Sequence, residues 1–185
     1  LHRWLNVSGW PVLADPLAAL AADCPNRIEH WELQLDRLYI PDHAQVLRLG
    51  PMPASRRLEA WLQRHQGNQL LIAEGDPRPL DPLQTACQWS GGIAAWIAQQ
   101  PLLDQATKPS VGSNDLSPWI EAQLPLSGAV NEPALAYWLP QLLPERLPVM
   151  LAASSPVRDW LTWGGPASGR HRCFSFRGAS GIAVS

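Results

Sequence analysis

Short apolar runs alternate along this chain with longer stretches whose apolar positions recur every three or four residues. That alternation predicts an α/β fold: a doubly wound, mostly parallel sheet with helices on both faces. Residues 12–14 (Val-Leu-Ala) read as a brief strand ended by the turn pair Asp15 and Pro16, and 17–38 as helical or irregular, with Trp31, Leu35 and Leu38 on one face. A second strand is expected over 45–50, then a loop over 51–55 capping a helix over 56–66 whose inner face holds Leu58, Trp61 and Leu62. Residues 69–74 return to the sheet. The Pro-rich run 76–82 cannot supply central-strand hydrogen bonds and should be a loop.

Further along, 87–98 reads as a short strand and a helix jointed at Gly91 and Gly92, and the polar, turn-rich 101–118 as a flexible connection. Asn131 is a helix cap with Pro133 in the first turn, ahead of a helix over 134–143. The apolar run 147–153 suits a buried parallel strand opening into a loop that carries Ser154 and Arg158. A last strand, 172–176, leads to Arg177 and the small residues Gly178, Ala179, Ser180 and Gly181, which let a ligand approach the backbone.

Composition narrows the function classes. With 185 residues, 46% hydrophobic and 16% charged, the chain can bury one sizeable core. A net charge of −2 gives no basic footprint for nucleic acid or an anionic membrane. No apolar run reaches the ~20 residues of a membrane span, and residues 1–6 lack signal-peptide architecture, so a cytoplasmic protein is expected. Cys24, Cys87 and Cys173 are odd in number and widely spaced, which argues for reduced, mostly buried thiols. Ten Trp stand against two Phe and two Tyr, a balance read as core and interface packing.

Most familiar site motifs are missing. There is no GxGxxG, no GxxxxGK[ST] and no GxSxG, and the five histidines have no metal-ligand spacing. Glu29 and Glu32 share a helical face by spacing, a pattern usual for a solvated surface. Candidate chemistry falls instead to arginines at strand ends. A guanidinium presents a planar fork that meets a carboxylate with two parallel hydrogen bonds, so Arg158 with Ser154, and Arg177, point to an anionic small molecule.

Gly9-Trp10-Pro11-Val12-Leu13-Ala14-Asp15-Pro16-Leu17, Ser154-Ser155-Pro156-Val157-Arg158-Asp159 and Arg177-Gly178-Ala179-Ser180-Gly181-Ile182 occur in an order that resembles the 2-succinyl-5-enolpyruvyl-6-hydroxy-3-cyclohexene-1-carboxylate synthase family of thiamine diphosphate enzymes. The resemblance implies a fragment: a Rossmann-like central domain over 1–170 and, over 171–185, a strand leading toward a missing cofactor-binding domain. It implies an enzyme of menaquinone and phylloquinone biosynthesis that uses thiamine diphosphate and Mg2+ to decarboxylate 2-oxoglutarate and add the carbanion equivalent to isochorismate. Arg56, Ser154, Arg158 and Arg177 are then implied to bind substrate carboxylates, with Ile182 near the cofactor and Arg57 an alternative to Arg56. The full enzyme would be a homo-oligomer, and this portion inactive by itself. Where the family continues with Asp-Gly, this chain reads Ala183-Val184-Ser185. Two other readings are a module that binds FAD or another nucleotide and a purely structural spacer.

Overall fold

The computed structural model describes residues 1–20, 22–24, 26–100, 114–124 and 130–175. Along the chain the elements are α1 (His2–Ser8), a 3-10 turn over Pro16–Ala18, α2 (Trp31–Gln34), β1 (Val46–Leu49), α3 (Arg56–Arg64), β2 (Gln69–Ile72), β3 (Cys87–Trp89), α4 (Gly92–Ala98), α5 (Ser117–Gln123), α6 (Glu132–Leu142), β4 (Val149–Met150), α7 (Ser155–Trp163), α8 (Gly165–Ser168) and β5 (Cys173–Phe174). This is the expected α/β class, and the named strands pair parallel throughout. The sheets are small, one of three strands in the order β1-β2-β3 and one of two, β4-β5. Two compact units result, Leu1–Pro11 with Arg37–Gly112 and Val12–Asp36 with Ser113–Ser185.

In the first unit, β1 and β2 align Val46 with Gln69 through Leu49 with Ile72, and β3 aligns Cys87 with Leu70. Helix α3 starts where Ser55 accepts a hydrogen bond from the Leu58 amide at 3.0 Å, the N-cap expected from sequence. Its periodicity buries Leu58 and Leu62, and β2 buries Leu71 and Ile72. Each such fully buried aliphatic side chain stabilises by roughly 1.5–3 kcal/mol relative to exposure. The Trp-rich composition is partly explained here: Trp4 of α1 meets Trp10 and Trp96 edge to face, each at 5.3 Å. Helix α1 itself has no counterpart in the sequence reading.

In the second unit, Asn131 caps α6 by accepting from the Ala134 amide at 2.8 Å, as its position before Pro133 predicts. Helix α6 packs on α7, and Leu151, Val157, Trp160 and Cys173 form the core beside β4 and β5. Trp31 and Leu35 are buried here, as their spacing requires, and Leu38 is buried in the first unit. Residues 12–14 contribute only one parallel bridge, Val12 to Arg27, because the Asp15 carboxylate caps the 3-10 turn through the Leu17 amide at 2.8 Å and ends extension there. The strand expected over 147–153 is reduced to Val149–Met150, since its one partner among the described residues, β5, is two residues long. The connection expected over 101–118 runs into α5, which begins at Ser117 with Pro118 in its first turn. Residues 101–113 lie outside the described residues.

Candidate functional site: the turn from β4 into α7

The chain leaves β4 through Leu151, whose amide donates to the Phe174 carbonyl at 2.8 Å, and passes through exposed Ala152, Ala153 and Ser154. Sequence reasoning placed Ser154 to Arg158 in a loop. The structure corrects this: α7 begins at Ser155, so Ser154 is its N-cap residue and Arg158 closes its first turn. Two features favour helix over loop. Pro156 falls in the first turn, where its missing N–H costs nothing, and Val157, Trp160 and Leu161 recur at helical spacing and are buried.

That helix start is poorly satisfied by its own protein. Ser154 makes no side-chain cap, and the first turn contains no acidic residue. Arg158 is exposed, and no ion pair engages it among the described residues. A cation at the positive end of a helix is unfavourable by roughly 0.3–1 kcal/mol. A bound carboxylate reverses the sign of that interaction. A hydroxyl, a guanidinium and the start of a helix are each groups that favour an anion.

Beside them Ser155 Oγ donates to Asp159 Oδ2 at 2.6 Å and lies 3.2 Å from Glu132 Oε2, at the start of α6. Of the other residues singled out from sequence, Arg56 is exposed at the first position of α3, in the other compact unit. Arg57 is exposed beside it. Arg177 and Ile182 lie outside the described residues. The strand that precedes them, β5, runs parallel to β4 with Met150 opposite Phe174. Both strands therefore end at the same edge of their sheet, the edge at which open α/β sheets place ligands.

The carboxyl edge of the three-stranded sheet is closed instead. Glu74, following β2, accepts from the Ile93 amide at 2.9 Å at the start of α4. Gly92, at φ +80°, leaves room for that carboxylate, since a Cβ there would lie 2.6 Å from Glu74 Oε2. A phosphate approaching these amides would meet a carboxylate already in place. Below this edge Arg48 donates from Nη2 to Asp81 Oδ1 at 2.7 Å in a part-buried pair. Asp81 also accepts from the amides of Leu83, Thr85 and Ala86. Burial pushes the Asp81 carboxyl up, yet Arg48 and these amides outweigh it and hold it well below the usual carboxylate range. Sequence reasoning missed both closures. The Asp81-Pro82 turn signal was present, but its pairing with a strand residue 33 positions earlier was not.

Titratable groups elsewhere in the second unit are buried rather than poised. His30 Nδ1 is 3.2 Å from the Thr162 carbonyl, its Nε2 is buried without a partner, and desolvation lowers its pKa. It stacks on Tyr137, which donates to Glu121 Oε1 at 2.9 Å and is pushed up to about 12 by burial and that carboxylate. His171 is held by the carbonyls of Leu147 and Pro140. Glu29, expected to share a helical face with Glu32, precedes α2 and pairs with Arg27 at 3.2 Å; burial raises its pKa. The cysteines are free thiols, Cys24 and Cys173 buried and Cys87 exposed. Among the described residues no group of three His, Cys, Asp or Glu could hold a metal ion, and no helix is long and apolar enough to cross a membrane.

No family model matches the chain. It is 87% identical over 182 residues to a 2-succinyl-5-enolpyruvyl-6-hydroxy-3-cyclohexene-1-carboxylate synthase of Synechococcus sp. (strain CC9605), a match that covers 98% of this chain and 32% of that protein. Synthases of the same name from Parasynechococcus marenigrum (strain WH8102) and Prochlorococcus marinus (strain NATL2A) are 63% and 42% identical, again over 98% of this chain and about a third of their own length. The chain thus spans about a third of the length of the curated relatives it matches, and along nearly all of its own length it is similar to that portion of the 2-succinyl-5-enolpyruvyl-6-hydroxy-3-cyclohexene-1-carboxylate synthases its sequence resembles.

Proposed function

We propose that this chain is the central domain of such a synthase and that the start of α7 binds a carboxylate of one of its substrates. The observation that carries the reading is the turn from β4 into α7. There an exposed serine makes no cap, an exposed arginine has no ion pair among the described residues, and no acidic residue lies in the first turn of the helix. In the whole enzyme the proposed reaction is decarboxylation of 2-oxoglutarate followed by carbon–carbon bond formation with isochorismate. Both substrates are anions, so their orientation by fixed guanidinium forks lowers the entropic part of the barrier. Ser154 and Arg158 would hold one carboxylate, and Arg177 and Arg56 would contribute further positive charge. Ile182 would lie near the cofactor.

Thiamine diphosphate with Mg2+ is part of the same proposal and would supply stabilisation of the carbanion. The described residues do not fit its metal-bound diphosphate, because none of them form a metal-ligating cluster. The remaining domains would provide it. Residues 1–170 would make the central domain and 171–185 the lead toward the cofactor-binding one, in a cytoplasmic homo-oligomer. The test is Arg158→Ala in the full-length synthase. Loss of a charged hydrogen bond to substrate, worth about 1.5–3 kcal/mol, should lower kcat/KM by roughly 10- to 100-fold. Unchanged kinetics for both substrates would reject the assignment.

A further inference from the structure

Helix α7 begins without a side-chain cap, and an uncapped first turn frays unless something else holds it. Ser155, rather than Ser154, makes the connections. Its hydroxyl has one proton, donated to Asp159 Oδ2 at 2.6 Å one turn along α7, while Glu132 Oε2 shares the same hydroxyl at 3.2 Å. Glu132 is the first residue of α6, a helix fixed by the Asn131 cap and by burial of Ala134, Ala136 and Tyr137. Arg158 lies within the turn that the Ser155–Asp159 bond spans. The contact therefore ties that turn both to its own helix and to the start of α6. It does so without consuming Ser154 or forming an ion pair with Arg158.

We infer that Ser155, Glu132 and Asp159 are positioning residues that hold the first turn of α7 so that Ser154 and Arg158 meet a substrate carboxylate. The inference rests on the ligand role proposed for Arg158 and deepens it. The carboxylates add negative charge beside the positive helix end, which steadies the helix. Neither carboxylate forms an ion pair with Arg158 among the described residues, so the guanidinium keeps its fork for substrate.

A double-mutant cycle in the full-length synthase tests this. Ser155→Ala should raise KM for the carboxylate substrate about five- to tenfold, as for one lost hydrogen bond acting on binding, with a smaller change in kcat. Ser155→Thr, which keeps the hydroxyl, should restore KM. In an Arg158→Ala background Ser155→Ala should change KM less than about twofold, because its effect runs through that arginine. If Ser155→Ala does not fold, Glu132→Ala, which removes the acceptor at the start of α6, should raise KM in the same direction and also lose its effect without Arg158. A kinetic effect of Arg158→Ala alongside a silent Ser155→Ala overturns the positioning role alone. A silent Arg158→Ala overturns the ligand assignment and the positioning role together. A Ser155→Ala effect that persists in full without Arg158 overturns the inference too.

Discussion

Two turns in this molecule are built from the same parts and finished in opposite ways. In each a parallel strand ends, a serine precedes a nine-residue helix, and an arginine stands in the first turn: Ser55 and Arg56 at α3, Ser154 and Arg158 at α7. At α3 the serine is 3% exposed, its hydroxyl caps Leu58, and Glu59 supplies the acid that the helix dipole favours. At α7 the serine is exposed and caps nothing, and no acid occupies the first turn. The first turn is complete as a piece of folded protein. The second leaves its serine and arginine free of such partners among the described residues, and this difference, more than the presence of arginine, is what the proposed anion site rests on.

The contrast can be broken experimentally, beginning where the largest effect is expected. Arg48→Ala removes the cation paired with a part-buried carboxylate beneath the closed edge and should destabilise the protein by about 1–3 kcal/mol in urea unfolding. A loss under about 1 kcal/mol would show that this edge is not held by the pair. Arg158→Ala should do the reverse, leaving urea stability within about 0.5 kcal/mol while lowering turnover of the full enzyme as stated above.

The two serines sharpen the comparison. Ser55→Ala should cost about 1 kcal/mol by thermal or urea unfolding, the usual loss for a removed cap, whereas Ser154→Ala should cost almost nothing. Equal losses would mean that both turns are structural.

A smaller effect is expected from pH. The pKa of His30 is lowered by desolvation from 6.5, so the unfolded chain binds the proton more readily than the folded one. Its contribution is fully present above pH 6.5 and declines as pH falls below that value. Unfolding free energies compared at pH 7.5 and 5.5 should show this decline, and His30→Gln should flatten it.

Local signals were legible wherever the chemistry was local. Ser55 three residues before Leu58, Asn131 before Pro133, and the Gly91-Gly92 joint between β3 and α4 each fix their element through neighbours in sequence. Ser154 and Arg158 were found as residues, but their setting was misread. Ser155-Pro156 looks like a turn until burial of Val157, Trp160 and Leu161 makes the helix worth forming. The Ser155 contact to Glu132 spans 23 positions and the Arg48–Asp81 pair 33, and no local pattern encodes either. Strand lengths were overestimated for a related reason. An apolar run such as 147–153 gives a chain the capacity to extend, whereas β4 extends only as far as β5 offers backbone partners.

The most direct test of the ligand-binding turn is calorimetric titration of the full-length synthase and its Arg158→Ala variant with isochorismate and with 2-oxoglutarate. The dissociation constant for one of the two should rise about 10- to 100-fold in the variant while the other stays unchanged, the loss expected for one charged hydrogen bond. Equal affinities of variant and parent for both substrates would contradict the account.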